Sequence, residues 1–255
     1  MKNNIIIIFS LIFQSSFAQT SVNQEEPGKN LSALISYNFL GGSTNLSNLT
    51  PEVFLGWNKY IIGKRADLFS GQIKVGPYAS SQINIKDSTA YLPALMMPGN
   101  AGIILDNYWV IDNQNTNNNH RLLLSPINLG LKVMSNFSDT TKTLLQHNIR
   151  TKIGYQYNDL FSLTIQYTWG WHNLTSMSEV NFEKTLKKKI TDVQYLTISL
   201  QTKITKEENE QPVYLFAVWR GFLNKKDFNN LENSKILTFG IRKSLDITGG
   251  ISAFR

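Results

Sequence analysis

Seven basic residues give the first chemical signal in this chain: Lys74, Lys132, Arg150, Lys152, Lys203, Arg220 and Arg242. Arg150 and Lys152 stand two positions apart, and side chains two apart in an extended chain share one face. A row of such cations along one side of a sheet would attract anions, either as a passage for acidic solutes or as a site for an acidic ligand such as a phosphorylated glycolipid. Few acids accompany them, chiefly Glu52 and Asp106. The plainer expectation is that acidic loop residues such as Asp87, Asp139 or Glu179 fold in and pair with the cations, giving a plugged, structural interior.

The histidines offer less. His172 precedes Glu179, and a histidine with a carboxylate could activate water. His147 would need a serine partner for lipid cleavage, and no matching serine is identifiable. His120 belongs to an Asn-rich turn. An interfacial or hydrogen-bonded structural role is the expectation for all three, so no catalytic residue, metal site or cofactor is assigned. The chain has no cysteine, which excludes disulfides, thiolate metal centres and cysteine nucleophiles. The Lys184 to Lys189 run follows Glu179 and Glu183 and reads as a solvated loop rather than a nucleic-acid patch.

Whether the cations share a face depends on the elements that carry them. From Phe161 to His172 the chain alternates without a break: Phe161, Leu163, Ile165, Tyr167, Trp169 and Trp171 against Ser162, Thr164, Gln166, Thr168, Gly170 and His172. Such a period of two predicts a strand with one apolar face. Its length suits the ~9–11 residues of a tilted membrane strand better than the ~5–6 of an average soluble one. The opposite face carries small, uncharged polar residues, as expected for a crowded polar lumen. Tyr167, Trp169 and Trp171 gather at one end of the apolar face, and Tyr155, Tyr157 and Phe161 lie near the other, which predicts two membrane-interface girdles.

Ten strands are predicted, over 31–40, 51–62, 67–78, 103–111, 121–134, 143–157, 160–172, 191–205, 213–222 and 234–243; eight and twelve are the alternative counts. The segments 51–62, 103–111 and 213–222 are apolar on both faces, which leaves their register open. Pro126 fits a strand interior awkwardly because it lacks a backbone donor. The odd-numbered connections, such as 79–102 and 173–190, are mostly long, and the even-numbered ones, such as 63–66 and 158–159, are generally shorter. This is the asymmetry of an up-and-down membrane barrel. Residues 244–255 either lengthen the last strand or add a hairpin.

Residues 1–18 carry Lys2, an apolar run from Ile5 to Phe13, and Ser16-Phe17-Ala18 before Gln19. This is the pattern of a cleavable secretory signal, and the run is too short to span a bilayer. Residues 19–30 would form a leader of the mature chain and 31–255 one domain. A chain of 255 residues fits that, and 42% hydrophobic, 11% aromatic and only 17% charged residues suffice for a core or a lipid-facing surface.

In general style the chain resembles the small outer-membrane β-barrels of Gram-negative bacteria. Its Ala18-Gln19 junction and Asn- and Lys-rich loops are similar to those of exported proteins of the Bacteroidetes. The expected fold is therefore all-β, a closed antiparallel transmembrane β-barrel in contact with outer-membrane lipid. The expected function is non-enzymatic: a narrow channel, or a binding or structural component of the envelope, its ligand an acidic small molecule or glycolipid. A secreted soluble β-sandwich that binds carbohydrate or protein is the alternative, and a barrel-embedded hydrolase the second.

Overall fold

The computed structural model describes residues 28–38, 49–64, 67–80, 95–96, 101–113, 118–134, 144–158, 160–173, 192–205, 213–223 and 235–246. The expected signal segment 1–18 and residues 19–27 of the expected leader lie outside the described residues. The described chain is all-β, with strands β1 (Gly28–Asn38), β2 (Leu49–Ile62), β3 (Phe69–Ser80), β4 (Ala101–Asp112), β5 (His120–Met134), β6 (Leu144–Tyr157), β7 (Phe161–Asn173), β8 (Asp192–Lys203), β9 (Val213–Phe222) and β10 (Lys235–Asp246). They follow the alternating segments of the sequence within a few residues. β1 begins at Gly28, inside the expected leader, and β10 continues to Asp246, so the first part of 244–255 lengthens the last strand. Residues 247–255 lie outside the described residues.

All ten strands belong to one antiparallel sheet, each paired with its neighbours in the chain. β1 also pairs with β10, from Asn30 opposite Asp246 to Asn38 opposite Thr238, while its other edge pairs with β2. The turn between β6 and β7 is tight, and Asn158 holds a positive φ of 47° there, a conformation asparagine tolerates better than most residues. Its side chain and backbone tie this turn to the β4–β5 turn: Asn158 Oδ1 accepts from Asn119 N at 2.6 Å, and Asn158 N donates to Asn119 O at 2.9 Å.

The two faces of the sheet have inverted polarity. Along β7, Ser162, Thr164, Gln166 and Thr168 are buried, whereas Ile165, Tyr167, Trp169 and Trp171 are exposed. The decisive contrast is between neighbours: Ile165 is 40% exposed and Gln166 2%. The same inner and outer rows recur on β6, where Gln146, Asn148, Arg150, Lys152 and Gln156 are buried and Ile153 and Tyr155 are exposed.

The inner face is less uniformly polar than the alternation of β7 suggests. β4 and β9, apolar on both faces, place Ile104, Tyr108, Val110, Tyr214, Phe216 and Val218 inward. Tyr78 packs on Ile104, and Leu123 joins Tyr108 and Val110. Their outer rows, with Ile103, Leu105, Ile111 and Leu215, are equally apolar. Only the cross-strand register with better-patterned neighbours assigns the sides.

Pro126 is accommodated by a β-bulge. Ser125 pairs with Lys152 and Asn128 with Arg150, so Pro126 and Ile127 together oppose the single residue Thr151. At a bulge the missing proline donor interrupts no ladder bond. Asn128 closes the gap. Its Oδ1 accepts from Asn107 N and from Ser125 Oγ, each at 2.8 Å, and its Nδ2 donates to the carbonyls of Ser125 and Arg150, each at 3.1 Å. The extra residue also switches parity: the inner row of β5 runs Arg121, Leu123, Ser125, then Asn128 and Lys132.

Candidate functional site

The bulge organises the densest charged cluster on the inner face. Asp106 of β4 is fully buried; its Oδ1 accepts from Arg150 Nη2 at 2.8 Å and its Oδ2 from Lys152 Nζ at 2.6 Å. Tyr108 Oη donates to the same Oδ2 at 3.1 Å, and Lys152 Nζ lies 5.5 Å from the centre of the Tyr108 ring. Arg150 Nη2 also reaches the Leu129 carbonyl at 3.0 Å. Lys74, the cross-strand partner of Asp106, is buried beside them. Three of the seven expected cations, Lys74, Arg150 and Lys152, thus converge on one carboxylate.

The remaining four are spread out. Lys132 is buried, and its Nζ donates to the carbonyl of Leu95 at 2.7 Å. Leu95 and Met96, from the connection between β3 and β4, are themselves fully buried. Part of that long connection therefore lies against the inner face. Arg220 is buried on β9, with Nη1 3.4 Å from Thr238 Oγ1. Lys203 ends β8 and is only half-buried, since the ladder stops there. Arg242 pairs with Leu34 and Tyr214 in the sheet, and its side chain lies outside the described residues.

A strand acid, Asp106, partners Arg150 and Lys152; the expected loop acids Asp87, Asp139 and Glu179, like the Glu52 side chain, lie outside the described residues. A second buried pair falls outside the sequence expectation: Arg121 Nε donates to Asp112 Oδ2 at 2.6 Å. Asp112 falls one residue beyond the predicted end of its strand, and Arg121 reaches the inner face through the parity switch at Pro126. The proline was the available signal. Among the described residues, six buried cations now face two buried carboxylates.

The outer face carries the expected aromatic groups. Tyr155, Tyr167, Trp169 and Trp171 are exposed, and Tyr157 and Phe161 are half-buried. Tyr155, Tyr157 and Phe161 flank the β6–β7 turn, where His120 Nδ1 meets Tyr155 Oη at 2.5 Å and Tyr157 Oη donates to Asn118 Oδ1 at 3.0 Å. Toward the far end of β7, Trp169 packs on Trp171 with centroids 5.4 Å apart, and His147 stacks on Trp171 at 6.3 Å. Trp169 Nε1 donates to Asp192 Oδ2 at 3.2 Å, and Tyr167 Oη to Gln194 Oε1 at 3.1 Å. His120 and His147 are thus engaged with aromatic neighbours. The His172 side chain lies outside the described residues, and no cluster of potential metal ligands occurs among the described ones.

No family model and no curated protein matches the chain. Among solved structures, an outer membrane channel from Pseudomonas putida F1 is similar at a TM-score of 0.32 and 8% identity, over 90% of this chain and 100% of that one.

Proposed function

We propose that this chain is an integral outer-membrane β-barrel, closed by the β1–β10 pairing, that serves the envelope as a non-enzymatic binding or structural component or a narrow channel. The observation that carries this reading is the inverted polarity of the sheet: branched and aromatic side chains outside, amides, hydroxyls and charges inside. In water such a surface would expose far more contiguous apolar area than a soluble monomer tolerates; in a bilayer it is the favourable arrangement. A soluble sandwich needs the opposite, with Ile165 covered and Gln166 wet.

The interior supports a filled lumen rather than a wide pore. Ten strands enclose little space, and Tyr78, Tyr108, Tyr195 and Phe216, together with Leu95 and Met96, occupy the inner side. The excess of buried cations favours acidic ligands or solutes, such as a phosphorylated glycolipid, over cationic ones. The aromatic groups at the two ends of β7 suit the two lipid–water interfaces.

Cell fractionation tests the reading. The chain is expected in the outer-membrane fraction, extracted only by detergent, and to migrate faster on a gel when unheated than when boiled. Recovery as a soluble protein in buffer alone would reject it.

A further inference from the structure

We propose that the inner face binds a small inorganic anion at Arg150. The inference rests on the barrel reading and deepens it by naming a ligand class and its anchor. Arg150 has five N–H donors, and Asp106 Oδ1 and the Leu129 carbonyl account for those of Nη2. Its Nε and Nη1 have no hydrogen-bond partner among the described residues, although the residue is only 1% exposed. The adjoining Lys152 shares the same Asp106 carboxylate. Arg150 and Lys152 therefore share one carboxylate, with Lys74 beside them, in a buried place where uncompensated charge is costly.

Beyond Asp106, the buried polar groups cited next are two amides and a hydroxyl, none of them a carboxylate. On the same inner row of β6, Gln146 is fully buried with both amide atoms unpartnered, and Asn148 has an unpartnered Oδ1. Both side chains turn sideways over bare backbone. A Cβ on Gly170 would stand 3.1 Å from the Gln146 amide, and one on Gly130 would collide with that of Asn148. The hydroxyl of Thr197, on the inner row of β8 with β7 between it and β6, is likewise buried and unpartnered among the described residues. An anion on the free N–H groups of Arg150 balances the excess charge. Only a small ion fits so filled an interior, hence chloride or inorganic phosphate rather than an organic acid.

The test uses the full chain folded into zwitterionic phosphocholine vesicles. Its unfolding midpoint is followed while gluconate is replaced by chloride, or separately by phosphate, at constant ionic strength. A saturable rise in the midpoint with one of the two anions is expected, since a ligand that binds only the folded state stabilises it by mass action. Arg150→Gln should remove the rise, and Arg150→Lys, which keeps the charge but loses the planar fork, should weaken half-saturation by about tenfold. Should Arg150→Gln fail to fold, Lys152→Met, which removes one positive charge from the cluster and leaves Arg150 in place, should blunt the same response. A flat wild-type curve with both anions would show that water alone fills the site, and an equal response in wild type and either neutral variant would place the effect elsewhere; each overturns the proposal. The barrel reading fails separately, if the chain folds equally well with no lipid or detergent present.

Discussion

Asp106 and Arg150 form a 2.8 Å ion pair although a whole strand separates them. The pair reaches over β5 because the inner row of β5 is short-sided where it passes: Ser125 and Asn128 flank the bulge, and Asn128 binds the backbone of both neighbouring strands. A larger inward residue there would block the contact. The bulge is therefore what allows β4 and β6 to share one carboxylate.

Removing that carboxylate should be severe. Asp106→Asn keeps the shape but leaves Arg150 and Lys152 buried with no anionic partner among the described residues, and such a loss typically costs about 3–5 kcal/mol. Urea unfolding in lipid vesicles should show it as a lowered midpoint. If the buried charge is the cause, a double change that also replaces Arg150 with methionine should recover part of the loss.

The two faces of β7 should respond oppositely to charge. Ile165→Arg puts a cation on the outer face and is expected to destabilise by about 2–4 kcal/mol in a bilayer. Gln166→Glu, on the inner face and paired across the ladder with Lys152, should be mild. Equal sensitivity of the two positions in a vesicle folding assay would contradict the assigned faces.

The contrast between these strands also explains what could be read from the sequence. β7 alternates perfectly, so its two faces, and the aromatic groups at the ends of one of them, are legible in the pattern alone. β4 and β9 do not, because a narrow interior is filled with tyrosine, phenylalanine and valine and therefore looks like the outside. Arg150 and Lys152 could be placed on one face, yet their common partner Asp106 lies in one of those ambiguous strands. Arg121 and Asp112 escaped for a different reason: one extra residue at Pro126 reverses the parity of the first part of β5, and no periodicity argument carries through a bulge.

The bulge itself can be tested. Asn128 satisfies the Asn107 N–H and the Arg150 carbonyl, groups that the ladder leaves unpaired where the register shifts. Asn128→Ala should cost about 1–3 kcal/mol, the penalty for leaving a buried backbone group unsatisfied. Pro126→Ala, at an exposed position that needs no donor, should change stability by about 1 kcal/mol or less. Denaturant midpoints of the two variants in the same vesicles check the order.

The connection between β3 and β4 offers the last test. Leu95 and Met96 are fully buried, and the described polar anchor of this pair is the 2.7 Å bond from Lys132 Nζ to the Leu95 carbonyl. Lys132→Met fills much of the same volume without the donor and removes this bond to the Leu95 carbonyl. Planar-bilayer recordings of the wild-type chain should then show rare or no openings, and the variant more frequent ones. A lysine analogue with a shorter stem should behave like the methionine variant, since the ammonium no longer reaches Leu95. Identical traces from wild type and Lys132→Met would mean that this bond does not hold the interior closed, and that the filling of the inner side by Tyr78, Tyr108 and Phe216 suffices.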